Sequence, residues 1–313
     1  MPRLFFCTDL HGSEICFRKF LHAGEAYQAG VVIMGGDCTG KMLVPVVGSP
    51  EVGWSVEWAG RQQRPRSEQE LDALERQIKN NGLYPVRMSE EEIQALEADP
   101  ERLSALFERT MLNTLGGWMR LAEERLADSG LGVVVTPGND DEFSVDDVLA
   151  SSDFVKAPEG RVVPLDDEHE LLSLGWSNPT PWDTPRECSE AELAEKIRVL
   201  AEQVGDMDRA IFNIHVPPHG TGLDSAPEIE NGNRVKRGGT VQASVGSTAV
   251  AEAILEYQPL LSLHGHIHES RGVQKLGRTT CINPGSAYSD WTLQGVVVDL
   301  DGAKVKRYVP TTG

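Results

Sequence analysis

The chain has 313 residues, of which 25% are charged and 40% hydrophobic, and its 48 acids against 29 bases give a formal charge of −19. This is the make-up of a globular chain of about two domains, or one domain with an insertion, and it excludes a disordered polymer or a fibre. The acidic balance argues against a duplex nucleic-acid partner, and apolar runs such as Val31–Met34 and Leu131–Val135 fall far short of the ~18–20 residues that span a bilayer, so no membrane association is expected.

The opening residues, Met1 to Phe6, hold too short an apolar stretch for a signal-peptide core, and no small-residue cleavage site follows. The five cysteines, Cys7, Cys16, Cys38, Cys188 and Cys281, show no C-x-x-C or zinc-ribbon spacing and read as reduced thiols, which places the protein in the cytoplasm. The first forty residues form a β-α-β unit: a strand over Leu4–Thr8, a helix capped by Ser13 and carrying Ile15, Phe17 and Phe20, and a buried strand over Val31–Met34 ended by Gly35-Gly36. From about 41 to 128 the character changes. Met42–Val47 and Trp54–Trp58 flank a hairpin-like turn; Leu71, Leu74 and Ile78 then recur at helical spacing up to Asn81-Gly82. Ser89 to Glu92 is a capping box for a second helix, and Pro100 opens a third carrying Leu103, Leu106, Phe107, Leu115 and Leu121. The stretch reads as a mostly helical insertion with solvated Glu-rich faces; the alternative is a lid or a homo-oligomer contact.

Strands return at Gly132–Thr136, Ala210–Ile214 and Leu260–Leu263, then at Arg278–Ile282, Gln294–Leu300 and Lys304–Val309, the last two joined by the hairpin signal Asp301-Gly302. Five of the apolar runs end in polar loops, and in open α/β sheets ligands sit past the carboxyl ends of strands. The loops hold Asp9 and His11, Gly36-Asp37, Gly138-Asn139-Asp140-Asp141, His215, and Gly265-His266-Ile267-His268. Carboxylate, amide oxygen and imidazole without cysteine suit Mn, Fe, Zn, Co or Ni. On extended backbone, i and i+2 point the same way, so Asp9 with His11, and His266 with His268, can each reach one ion. Seven donors are too many for one tetrahedral ion and suit two, with Asp37 as the bridge. Any single fragment is more often structural; five at successive strand ends are not.

Together, Asp9-x-His11, Gly36-Asp37, Gly138-Asn139-x-Asp141, His215 and Gly265-His266-x-His268 resemble the signature of the calcineurin-like metallophosphoesterases. The resemblance covers the chain outside the insertion, and Asn283-Pro284-Gly285-Ser286 is similar to a segment of bacterial members. It implies one metallophosphoesterase domain over 1–313, an α/β fold with a four-layer α/β/β/α sandwich, interrupted by the mostly helical insertion. It implies two divalent ions, manganese foremost with iron, zinc, nickel or cobalt as alternatives, one held by Asp9, His11, Asp37 and His268 and the other by Asp37, Asn139, His215 and His266. Asp141 matches the acid behind the site, and His264, beside Gly265, is expected to support the ligands in the same way. Two such cations about 3.5–4 Å apart acidify a bridging water to hydroxide, which attacks phosphorus in line.

The family's usual motif has a histidine, taken as the general acid, where this chain has Asp140. Nearby cations lower a carboxyl pKa, so either Asp140 positions water or substrate, or His219, four residues after His215, supplies the proton. Substrates that need acid least are diesters or strained cyclic esters, which favours a phosphodiesterase on a small phosphorylated substrate such as a nucleotide. The runner-up is a phosphomonoesterase, including a protein phosphatase; a nuclease is opposed by the overall charge. From another class comes a non-catalytic binding scaffold on the same fold, which seven filled ligand positions oppose. For substrate contacts, Gly175 to Trp182 carries Trp176 and Trp182, which could stack on a base or sugar. Arg234, Lys236 and Arg237 form the tightest basic cluster, between Asn231 and Gly246. An ordinary packed loop and a plain surface loop are the bland counterparts. Cys38 reads as a buried structural thiol, and His22 and His169 lie outside every motif.

Overall fold

The short apolar runs become buried strands in a computed structural model that describes residues 2–230, 234–235 and 241–313. In the first sheet, Arg3–Cys7 lies parallel to Val31–Gly35, which lies parallel to Gly132–Thr136. Gln294–Leu300 and Val305–Thr312 extend this sheet antiparallel on the other side. In the second, Glu170–Leu174, Ala210–Ile214, Leu261–Leu263 and Thr279–Asn283 run parallel, edged by antiparallel Arg161–Pro164 and Gly272–Leu276. Parallel strands need crossover connections, which place their carboxyl ends and following loops on one side.

Alternation along each strand divides the side chains between two faces. Leu4, Phe6, Ile33, Val134 and Val298 of the first sheet share a buried cluster with Leu171, Ile211, Leu261, Leu263 and Ile282 of the second. The other face of the first sheet, with Phe5, Val32, Met34, Val133 and Val135, packs on the helices Glu14–Tyr27, Pro100–Leu126 and Val145–Ala150. The other face of the second, with Leu172, Leu174, Phe212 and Ile214, packs on Glu190–Ala201 and Thr248–Tyr257. Each such fully buried Leu, Ile or Phe contributes about 1.5–3 kcal/mol. Strand Glu170–Leu174, inside the second sheet next to its edge, has no clear local signal, because three leucines broken by Ser173 after an acidic stretch carry no period.

Residues 43–88 hold a third sheet in the order Arg61–Gln63, Gly53–Trp58, Leu43–Ser49, Tyr84–Met88. The helix Glu68–Asn80 backs it through Val44, Val46, Val56, Leu71, Leu74 and Ile78. The sequence predicts mainly helix here; the hairpin forms as read, and the structure adds Tyr84–Met88 as a strand parallel to Leu43–Val47. Pro85 and Arg87 hide that strand from a local pattern, and the pairing is non-local. The Ser89/Glu92 capping box closes at the head of Glu90–Glu97. Helix Pro100–Leu126 continues through Gly116 and Gly117, and its second half lies in the main core, where Trp118 stacks on Phe17 with ring centroids 4.2 Å apart. Ser13 occupies the N-cap position of its helix but makes no side-chain cap; its hydroxyl donates instead to the Asn80 carbonyl at 2.7 Å.

All five cysteines are free, four of them buried. Among the described residues no helix is long and apolar enough to cross a membrane.

Candidate metal centre

The polar loops after the Arg3–Cys7, Val31–Gly35, Gly132–Thr136, Ala210–Ile214 and Leu261–Leu263 strands meet at one end of the two sheets. Their backbone is not the extended chain that the i, i+2 reading supposes. Asp9, His11, Asp37 and His266 have φ of 55°, 42°, 49° and 67°. Left-handed backbone costs a non-glycine residue of order 1–3 kcal/mol and persists where the surroundings over-determine it. Tight turns, rather than strand alternation, therefore aim these side chains inward.

Inside, the imidazole and carboxylate atoms interleave. His268 Nε2 lies 3.4 Å from Asp9 Oδ1 and 3.1 Å from His11 Nε2. Asp37 Oδ2 lies 3.6 Å from His11 Nε2 and 3.4 Å from His215 Nε2, so one carboxylate oxygen faces two histidines from different loops. His215 Nε2 is also 3.7 Å from Asp9 Oδ1, and His266 Nδ1 is 2.7 Å from Asn139 Oδ1. The ligand atoms of Asp9, His11 and His268, and of Asp9, Asp37 and His215, each lie within 4.8 Å of one another. All seven sequence-predicted donors are thus brought together.

Their electrostatics fit a cation. Burial alone would raise the Asp9 and Asp37 carboxyls, yet the histidines outweigh it, bringing Asp9 down to about 2 and holding Asp37 well below the usual carboxylate range. Burial lowers His11 and His266 to about 4. At His215 burial also lowers the imidazole, but Asp37 and Asp9 override it and push it up to about 10. His11 Nδ1 and His215 Nε2 are buried without a hydrogen-bond partner. Buried carboxylates strong enough to draw a proton onto His215 call for positive charge among them, and the donor set of carboxylate, amide oxygen and imidazole is that of a borderline divalent metal. The residues fit such ions.

A second set of groups holds the donors in place. Asp141, fully buried, accepts from the backbone N–H groups of Cys38, Thr39 and Gly138 and from the Thr39 hydroxyl at 2.6–2.9 Å, locking the Asp37 loop to the Asn139 loop. The two loops approach so closely that a Cβ on Gly138 would lie 2.2 Å from Asp37 Oδ1. His264 places Nδ1 2.8 and 3.1 Å from the Ile214 and Val216 carbonyls, which flank His215. The Ser286 hydroxyl donates to the Asp9 carbonyl, and the Asn283 amide donates to the Gly265 and Ile267 carbonyls. Sequence reasoning missed two supports. The Asn139 amide donates to Thr184 Oγ1 at 2.8 Å, and that hydroxyl donates to Glu187, which fixes the amide with Oδ1 toward His266. Arg186, fully buried, donates to the Asp141 carbonyl. Neither has a local signal, because both act across more than forty residues.

The donors open into a cleft of about 280 Å³ lined also by Lys41, Asp140, Trp182, Thr184, Ala226 and Glu269. Asp140 sits at its edge: its N–H donates to Asp37 Oδ1, and its carboxylate ion-pairs with Lys41 and lies 3.7 Å from His11 Nδ1. Tyr288, unforeseen, packs against the His11 ring at 4.9 Å. Trp182 is 60% exposed on the cleft wall, whereas Trp176 faces a different cleft, against Phe143 and beneath Lys196. His219 does not line the metal-centre cleft; its ring is 3.6 Å from the buried Asp224 and its N–H donates to Ser247. Arg234 lies in a two-residue strand paired with Ile229–Glu230, and Lys236 and Arg237 lie outside the described residues. His169 joins Asp166 to the Gly302 carbonyl.

No family model matches the chain. Over 165 residues it is 30% identical to Uncharacterized protein MJ1162 of Methanocaldococcus jannaschii, an alignment spanning 51% of this chain and 68% of that one. The crystal structure of TT1561 of Thermus thermophilus superposes with a TM-score of 0.55 at 13% identity, covering 100% of this chain and 98% of that chain. This likeness shows a shared fold. An archaeal phosphodiesterase matches at 11% identity over 99% of each chain with a TM-score of 0.37, a likeness too distant to speak to chemistry.

Proposed function

The chain belongs to the same family as the Methanocaldococcus jannaschii protein, whose name assigns no chemistry, and from the site itself we propose that it is a dinuclear metal-dependent phosphoesterase, acting on a small phosphodiester or nucleotide in preference to a monoester. The observation that carries the reading is Asp37 Oδ2, set between His11 and His215 at 3.6 and 3.4 Å, the place of a carboxylate shared by two ions. Two sheets that share a core, with helices on their outer faces, support the four-layer arrangement that the resemblance implies.

Asp9, His11, Asp37 and His268 would hold one ion, and Asp37, Asn139, His215 and His266 the other. When bound, divalent ions supply Lewis acidity toward the phosphoryl group and a nucleophilic water at neutral pH. The chain's own part is to orient the donors through Asp141, His264, Thr184 and Ser286. The preference for diesters rests on Asp140, which stands where the resemblance expects histidine and is ion-paired to Lys41. His219, turned to Asp224, offers no replacement acid within the cleft.

The test is a paired assay of Mn²⁺-loaded protein on bis-p-nitrophenyl phosphate and p-nitrophenyl phosphate, with His215→Ala as the blank. Turnover of the diester well above the monoester is expected. Strong monoester turnover would overturn the diester preference, and failure to bind metal would favour a non-catalytic scaffold.

A further inference from the structure

Resting on the phosphoesterase reading, we propose that Lys41 is the phosphate-binding residue of the cleft, its ammonium donating to a phosphoryl oxygen of the substrate in exchange for the Asp140 carboxylate. Lys41 is the only lysine or arginine among the described residues that line the cleft. In a chain of charge −19, a phosphate anion is repelled at long range and must be met by positive charge held locally. The ions supply part of that charge, and Lys41 is the protein's own contribution.

The backbone that presents Lys41 is built for the purpose. The Cys38 and Thr39 N–H groups donate to Asp141 from below, and the Gly40 N–H donates to the Tyr84 hydroxyl at 2.7 Å. Gly40 presses against the turn at Gly82, where any Cβ would come within 1.9 Å of the Gly82 carbonyl oxygen. Residues 38–40 are therefore clamped from both sides, and the chain leaves the clamp at the cleft rim with Lys41. The side chain itself is 60% exposed. The Asp140 side chain is 17% exposed while Lys41 faces solvent at the cleft rim, so the ammonium can exchange the carboxylate for a charge-assisted bond to phosphate. Asp140 is at the same time crowded by Asp37, whose Oδ1 accepts from its N–H at 3.1 Å.

The experiment is calorimetric titration of the Mn²⁺-loaded protein with inorganic phosphate, with Mn²⁺ content measured on every sample and kcat and KM for bis-p-nitrophenyl phosphate alongside. Lys41→Ala is expected to weaken phosphate binding by about 10- to 100-fold, the range of one charged hydrogen bond, and to raise KM more than it lowers kcat, at unchanged Mn²⁺ content. Lys41→Arg should keep most of the affinity. Asp140→Asn should tighten phosphate binding, and the gain should vanish in Lys41→Ala/Asp140→Asn, since the two act through one contact. Wild-type phosphate affinity in Lys41→Ala, or loss of Mn²⁺ from that variant, overturns the assignment while wild-type turnover leaves the phosphoesterase reading standing. If the wild-type protein holds Mn²⁺ yet neither binds phosphate nor hydrolyses either ester, the phosphoesterase reading falls and Lys41 with it.

Discussion

Replacing Arg186 by methionine should loosen the metal centre without touching a ligand. Arg186 is 1% exposed; its Nε donates to the Asp141 carbonyl at 2.9 Å, its Nη2 donates to the Glu142 carbonyl at 3.0 Å, and the guanidinium pairs with Asp146 at 2.8 and 3.2 Å. Its own N–H donates to the Asn139 carbonyl, but that bond survives substitution. The side chain of Asp146 is 43% exposed and Glu142 is exposed, so water replaces most of what they lose, leaving about 0–1 kcal/mol. Asp141 is fully buried, and stripping its carbonyl of a charged donor costs about 1.5–3 kcal/mol. The total is about 1.5–4 kcal/mol. With an unfolding entropy of about 2.1 cal/mol/K per residue, that lowers Tm by about 2–6 °C in metal-free protein. Because the same bonds hold the Asn139–Glu142 turn, Mn²⁺ affinity should fall about 10- to 100-fold, as for other outer supports of metal ligands. Calorimetry and Mn²⁺ titration read the two effects. A Tm within about 1 °C of wild type, with unchanged Mn²⁺ affinity, would refute the reasoning.

Burial pushes the Glu159 carboxyl up to about 7, from an ordinary value of 4.5, although it accepts from the Gly175 N–H. The native chain then holds this proton more tightly than the unfolded one. Stability is full below about pH 4.5 and falls as pH rises through 7, by about 3 kcal/mol in all. Glu159→Gln should flatten that slope in denaturant unfolding of metal-free protein between pH 5 and 8, and parallel profiles for the two proteins would count against it. Ions that bind only the native chain stabilise it by about 4 kcal/mol each at a thousandfold excess over Kd. Mn²⁺ should therefore raise Tm, a chelator should reverse the rise, and His215→Ala should diminish it. Trp118→Ala, at a 5% exposed position stacked on Phe17, should cost about 3–5 kcal/mol yet leave Mn²⁺ affinity unchanged; a large loss of metal binding instead would mean that the helix Pro100–Leu126 positions the site.

The donors were legible because strand ends in parallel sheets bring sequence-distant loops together, and because Asp-x-His and Gly-His-x-His carry recognisable spacing. Their backbone was not legible. Nothing local says that Asp9, His11, Asp37 and His266 adopt left-handed φ, since those conformations are imposed by the turns and contacts around them. Lys41 escaped notice for a similar reason: four residues past Asp37, it looks like any surface lysine until Tyr84 and Gly82, more than forty positions away, clamp the loop before it. The strand Tyr84–Met88 was hidden by Pro85, and Thr184 and Arg186 sit in a loop read chiefly for its tryptophans. Where the reading relied on proximity in sequence, as with His219 near His215, folding took the residue elsewhere.

The turn at Gly82 also stands against the His11 carbonyl, where a Cβ would come within 1.9 Å, while Ser13 grips Asn80 just before it. The third sheet and its helix are thereby packed directly against the loops that carry His11 and Lys41. A change of backbone at residues 80–82 would therefore be felt at His11 and at Lys41 together, which couples this sheet and its helix to the geometry of the candidate site.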